Sequence, residues 1–159
     1  MNNACPIDTN VLLYLANPQA PEHARAKAAV ADLLANDQRP IIAAQIVFEF
    51  WSVATRPTEA NGLGWSTKQA FEQIEIFRTR FGLLYESPAV VDLWLHVVVS
   101  HGRKGKRIQD AHLLATMKAN GVDRLLRSTR RIFLPTRASP SCQLTCFTLH
   151  EPGVIESWA

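Results

Sequence analysis

Apolar positions along the chain fall into two kinds of stretch that alternate. Short continuous runs read as buried strands, and longer amphipathic stretches with apolar residues at helical spacing read as helices. A first strand ends in "PID" (Pro6 to Asp8) and the helix-like "VLLYLA" follows at once, where Thr9 or Asn10 can cap the free N–H groups. "APEHARAKAAVADLLAND" is Ala-rich, carries Pro21 near its first turn and predicts a second helix. "PIIAA" predicts a second strand, and "QIVFEFWSVATRP" a helix that stops before Pro57. After the loop "TEANGLGW", Ser66 and Gln69 stand at capping-box spacing and open another amphipathic helix. "GLLYE" is a third strand. "SPAVVDLWLHVVVSHG" is a helix with Ser87 as cap, Pro88 in its first turn and Gly102 beyond its end. "RIQDAHLLATMKANG" is a helix closed by Gly121, and "VDRLL" is a fourth strand.

This alternation predicts an α/β fold, a parallel β-sheet flanked by helices on both faces. In such sheets working groups collect at the carboxyl ends of the strands, which is where Asp8 lies.

At 159 residues the chain suits one domain with a real core. With 47% apolar and 19% charged residues it has an ordinary globular balance. No apolar run reaches membrane-spanning length, and the N-terminus lacks a signal-peptide layout, so a cytoplasmic protein with no membrane partner is expected. Three cysteines, Cys5, Cys142 and Cys146, make no disulfide framework, and only His150 stands near them as a further zinc ligand. Incidental thiols in a reducing compartment are the expectation. The net charge of +3 is compatible with a nucleic-acid partner without demanding one. Most of that excess follows Leu126, where Arg127, Arg130, Arg131 and Arg137 face only Glu151 and Glu156.

Three carboxylates stand out by position: Asp8 at the end of the first strand, Glu49 in the helix after the second, and Asp110 in the first turn of "RIQDAHLLATMK". Glu49 is flanked by Phe48, Phe50 and Trp51, an apolar setting in which an unpaired carboxylate is costly. Singly, each acid has a bland explanation. Asp8 would cap a helix, Asp110 would complement a helix dipole, and Glu49 would lie on a solvated edge. Together, at one end of one sheet, they would repel unless protons or a hard cation neutralised them. Clustered acids holding Mg²⁺ or Mn²⁺ activate water and stabilise a phosphoryl transition state. The chain has no Gly-rich phosphate loop and no nucleophile-elbow serine to offer rival chemistry.

"IDTNVLLYLAN", "AAQIVFEFWSVATRP" and "GKRIQDAHLLATMKANGVDRLL" together resemble a PIN-domain protein, of the VapC-like toxins of type II toxin–antitoxin pairs. The resemblance covers most of residues 4–126 and makes residues 1–126 the PIN-like domain. It implies a Mg²⁺- or Mn²⁺-dependent endoribonuclease neutralised by a cognate antitoxin, and a homodimer. By the match, Asp8, Glu49 and Asp110 are the catalytic, metal-binding acids. Asn10 supports Asp8 or a bound water, with Thr9 beside it. Arg103, Lys104, Lys106 and Arg107 in "HGRKGKRIQD" are candidates for RNA phosphates, with Arg56 a weaker one, against the alternative of a solvated basic loop.

The pattern breaks after Leu126. The family carries a fourth acid after the next strand, in a segment of the form Thr-Phe-Asn-x-x-Asp-Phe. This chain has no Asp or Glu between Asp123 and Glu151, and Asp123 precedes the strand. Shifting the reading frame back by one base from codon 127 permits Phe-Asn-Thr-Gln-Asp-Phe over Ser128 to Phe133. The same shift permits the strand-like Gly-Ile-Thr-Val-Leu over Ala138 to Cys142. Residues 127–159 are therefore read as a divergent, frameshifted segment, poorly ordered, with the last strand lost and Arg131 repelling cations near the missing acid. The nuclease is expected to be weak or inactive as a result. The alternative is a catalytically inactive module that still engages an antitoxin or itself. Leu63, Trp65, Phe71, Ile74 and Phe77 are then partner-facing rather than core. A flap-type DNA nuclease is a third reading, disfavoured by small size.

Overall fold

The computed structural model describes residues 3–102, 104–105, 107–128 and 144–148. Strand β1 (Ala4–Pro6) leads into helix α1 (Thr9–Ala16), then α2 (His23–Ala35), β2 (Arg39–Ala43), α3 (Ala44–Ala54), α4 (Thr67–Arg80), β3 (Gly82–Leu84), α5 (Ala89–Ser100), α6 (Arg107–Ala119), β4 (Arg124–Ser128) and β5 (Leu144–Thr148). β1 pairs with β2, and β2 with β3, all parallel. Every residue of β1 and four of the five in β2 are buried, as expected of a parallel sheet covered on both faces.

β1 is the hinge of the arrangement. The Ile7 N–H donates to the Ile41 carbonyl of β2 at 2.9 Å, and the next N–H, of Asp8, donates to the Leu126 carbonyl of β4 at 2.9 Å. β4 thus runs parallel beside the end of β1 through the Ile7–Leu126 bridge. On its other side β4 pairs antiparallel with β5, Leu126 opposite Cys146. The resulting succession is β3-β2-β1-β4-β5.

The core is where the apolar pattern placed it, with Ile7, Leu12, Ile41, Ile42, Ile46, Phe50, Met117 and Leu125 fully buried. Phe50 meets Phe77 edge-on at 5.4 Å and Trp65 at 6.2 Å between ring centres, and Phe77 stacks on Phe81 at 6.0 Å. Ile74 and Phe77 are therefore core residues, not partner-facing ones, and Leu63 and Trp65 pack partly buried against that core. Only Phe71 of that set is well exposed, at 57%. The loop before α4 folds back on itself. A Cβ at Gly62 would overlap the Arg56 carbonyl, which accepts from the Gly64 N–H at 2.9 Å.

Several boundaries differ from the sequence reading, for local reasons. Asp8, not Thr9 or Asn10, is the cap of α1, its side chain accepting from the Thr9 N–H. Glu22 takes the N-cap position of α2 through its carbonyl, which accepts from the Ala26 N–H, so Pro21 stands just outside the helix. Pro88 is the residue flanking α5, with the Ser87 carbonyl accepting from Val90 N–H. The capping box of Ser66 and Gln69 forms in both directions. β4 continues through Arg127 to the buried Ser128, so the change of composition at Leu126 falls inside a strand. Of the segment that follows, Leu144–Thr148 forms β5 along the outer edge of β4. Most of residues 127–159, including Arg131, Cys142 and His150, lie outside the described residues.

Candidate active site

The site begins with a helix cap. Asp8 leaves β1 in an extended conformation, and its Oδ1 accepts from the Thr9 N–H at 2.9 Å. That geometry needs a short acceptor at the strand–helix junction, and Asp supplies it. Its other oxygen, Oδ2, lies 3.8 Å from Arg127 Nε on β4. Both side chains are mostly shielded, Asp8 18% and Arg127 20% exposed. Burial pushes the Asp8 carboxyl up from 3.8 to about 6. The Arg127 guanidinium opposes the rise, Glu49 adds to it, the Thr9 N–H opposes it, and Asp110 adds a smaller push.

Thr9 is buried, and its hydroxyl donates to Glu49 Oε2 at 2.7 Å, joining α1 to α3. The second oxygen, Glu49 Oε1, accepts from Gln45 Nε2 at 2.7 Å, one helical turn earlier. Glu49 is therefore held in a polar cradle rather than the expected apolar one. Phe50 points into the core, while Phe48 is 68% exposed. Gln45 also donates to the Gln109 carbonyl at 3.0 Å, which ties α3 to the first turn of α6, where Asp110 sits. His112 Nδ1 lies 2.8 Å from Gln45 Oε1, and its Nε2 lies 3.5 Å from Glu86.

Asp8, Thr9 and Glu49 are thus linked by direct contacts, and Asp110 is close enough for its charge to act on Asp8. Asn10 lies in the first turn of α1. Among the described residues no three His, Cys, Asp or Glu side chains are drawn together as a finished metal coordination sphere. The donors suit a hard divalent cation, since all are carboxylate oxygens with mutually unfavourable charge. Glu49 is occupied by Thr9 and Gln45, and Asp8 by Thr9 and Arg127, so a cation would have to exchange some of these contacts. Of the basic loop, Lys104 is exposed and Arg107 opens α6, while Arg103 and Lys106 lie outside the described residues. The sequence reading missed Gln45, His112 and Arg127. Gln45 could have been found one turn before Glu49. Arg127 could not, because only the β1–β4 bridge brings it to Asp8.

Residues 6–131 match the model of the PIN domain family. The chain belongs to the PIN-domain family. This PIN domain is 30% identical over 134 residues to Ribonuclease VapC24 of two Mycobacterium tuberculosis strains, CDC 1551 and H37Rv, covering 79% of this chain and 85% of the relative. Its fold is similar to VapBC2 from Rickettsia felis, solved bound to a DNA fragment from its promoter. That likeness has a TM-score of 0.56 and 15% identity, over 78% of this chain and 86% of that one. It is also similar to VapC20 of Mycobacterium tuberculosis, a sarcin–ricin loop cleaving toxin, with a TM-score of 0.53 and 16% identity, over 75% and 85%. The PIN domain is VapC-like in sequence and α/β in fold, as its motifs implied.

Proposed function

We propose that this PIN domain is a divalent-metal-dependent endoribonuclease, the toxin of a toxin–antitoxin pair. One observation carries the reading: the charges of Glu49 on α3 and Asp110 on α6 both act on Asp8, which sits where β1 hands over to α1. The ribonuclease name of its relative supports the reaction class. Asp8, Glu49 and Asp110 would hold Mg²⁺ or Mn²⁺, which when bound supplies water activation and charge neutralisation at the scissile phosphate. The chain's own residues do the positioning. Thr9 and Gln45 fix both oxygens of Glu49, and Lys104 stands on the loop leading to Asp110, where RNA phosphates would pass.

The activity is weak in this reading, for two reasons. The chain lacks an acid between Asp123 and Glu151, and Arg127 places a positive charge at Asp8 where a cation would bind. The frame change at codon 127 accounts for both, and the gene's nucleotides test it directly: a stop codon in the alternative frame would end the idea. The protein works in the cytoplasm and pairs with a small antitoxin, itself forming a homodimer. Val91, Leu95 and Val99, exposed one turn apart along α5, offer an apolar stripe for such a partner. No helix among the described residues is long and apolar enough to cross a membrane.

The test is cleavage of labelled single-stranded RNA by the purified chain with Mg²⁺, Mn²⁺ or chelator. Slow cutting that stops with chelator and with Asp8→Asn is expected. Cutting indifferent to both would overturn the metal reading, and fast cutting by the unmodified chain would overturn the weakening. A second reading, a binding module without catalysis, draws on the Arg127–Asp8 contact. It predicts no cleavage under any metal while antitoxin binding persists.

A further inference from the structure

Two thiols stand apart from the acidic rim. Cys5 of β1 is fully buried and Cys146 of β5 is exposed, yet their sulfurs are 3.6 Å apart across 141 residues of sequence. Strand order alone would keep β1 and β5 two strand spacings apart, so β5 must fold back toward β1 for the sulfurs to meet. β4 lies between β1 and β5, bridged to β1 at Ile7–Leu126 and paired to β5 with Leu126 opposite Cys146. The neighbouring contacts are weak ones for sulfur: Cys5 Sγ lies 3.8 Å from the Pro6 carbonyl and Cys146 Sγ 3.8 Å from Gln38 Oε1. A disulfide bond is about 2.0 Å long, so closure needs the two sulfurs to approach by about 1.6 Å.

The two sulfurs differ in how easily they react. The Cys5 thiol is pushed far above its usual range, first by its hydrogen bond with Cys146 and then by burial. Cys146 opens to a cleft of about 400 Å³ lined by Asp32, Asn36, Gln38, Arg124 and Leu144. A small disulfide oxidant can therefore reach Cys146 and not Cys5.

We propose that Cys5 and Cys146 form a reversible disulfide that fastens the β4–β5 edge to β1. With glutathione disulfide as oxidant, the Cys146 thiolate attacks one glutathione sulfur, and one glutathione leaves as thiolate. The Cys5 sulfur then attacks the Cys146 sulfur, giving up its thiol proton as it does so, and the second glutathione leaves. Two protein thiols lose two protons and two electrons, and the glutathione disulfide accepts both electrons to become two glutathiones. The staple acts on β4, the strand that presents Arg127 to Asp8, so it would hold that contact in place.

The test equilibrates the full chain in glutathione buffers of graded redox ratio, quenches with acid, alkylates free thiols and maps peptides without reduction. The expected product links Cys5 to Cys146 and reverts with excess reduced glutathione, leaving Cys142 alkylated. Closing so long a loop should raise the Tm of the oxidised chain by about 5–10 °C over the same chain reduced, and Cys146→Ser should abolish the rise. Because the reference is the reduced form of one protein, folding of a variant does not decide the result. A link through Cys142 instead, three free thiols at the most oxidising ratio, or a Cys5–Cys146 link without a Tm rise would each overturn the proposal.

Discussion

The two sides of β1 are built differently. Toward β2 and β3 the sheet is parallel and apolar, with β2 buried from Pro40 to Ala43 and β3 at Leu84, and Phe50, Trp65 and Phe77 are in edge-on ring contact beside it. Toward β4 and β5 the parallel contact is the Ile7–Leu126 bridge, the outer pairing is antiparallel, and charged and thiol side chains occupy the junction. The first side is held by burial, a non-directional force that tolerates distance from the site. The second is held by a few specific contacts, and those contacts reach the acidic rim. The lesson is that stability and tuning of the site come from opposite flanks of one strand.

The sharpest break in the comparison is Phe50→Ala. Removing a fully buried ring that meets two others should cost about 3–5 kcal/mol in denaturant unfolding, with the acidic residues untouched. A loss under 1 kcal/mol would mean that the β2–β3 flank is not the stabilising one. Next in size, Glu49→Gln keeps the shape of the cradle but removes its charge. RNA cleavage should fall at least about 100-fold, with an unfolding midpoint close to that of the unmodified chain.

A third measurement separates the flanks by pH. The Asp8 carboxyl sits near 6 in the folded protein against 3.8 ordinarily, so the fold disfavours its charged form. The stability tied to its protonated state is present below the ordinary value and is lost as pH rises through about 6. Asp8→Asn keeps a capping side chain and removes that charge. It should raise unfolding stability at pH 7.5 by about 2 kcal/mol while abolishing cleavage, and the gain should vanish near pH 4. A gain equal at both pH values would place its origin elsewhere than the carboxyl.

On the other flank, Leu144→Ala removes a half-buried contact of β5 and should cost only about 1 kcal/mol. A loss as large as that of Phe50→Ala would erase the contrast. The smallest effect expected is Lys104→Ala, which should weaken RNA binding roughly twofold at low salt and lower the salt slope by about one charge. An unchanged salt slope would leave the basic loop without a part in binding.

Much of this molecule was legible along the chain. Apolar runs located the strands β1 to β4, helical spacing located the helices, and the Ser66–Gln69 capping box formed as written. These are local properties, set by a few neighbouring residues and the periodicity of burial. Asp8 and Asp110 were legible as candidates because each stands at the start of a helix, and Glu49 because a carboxylate stands among aromatic neighbours in α3. The cradle around Glu49 was not, because Thr9 reaches it from another helix and the flanking aromatics point elsewhere. Ile74 and Phe77 looked ambiguous as sequence, and packing against Phe50 put them in the core.

By itself the sequence determined the order of elements and the parallel half of the sheet, since hydrophobic period and chain direction suffice for those. Only the tertiary structure decided that Arg127 faces Asp8 and that Cys5 lies beside Cys146. Both pairs join residues more than a hundred positions apart. Their meeting depends on which strand edge β4 takes and on the register of β5 against it, and no local pattern encodes either.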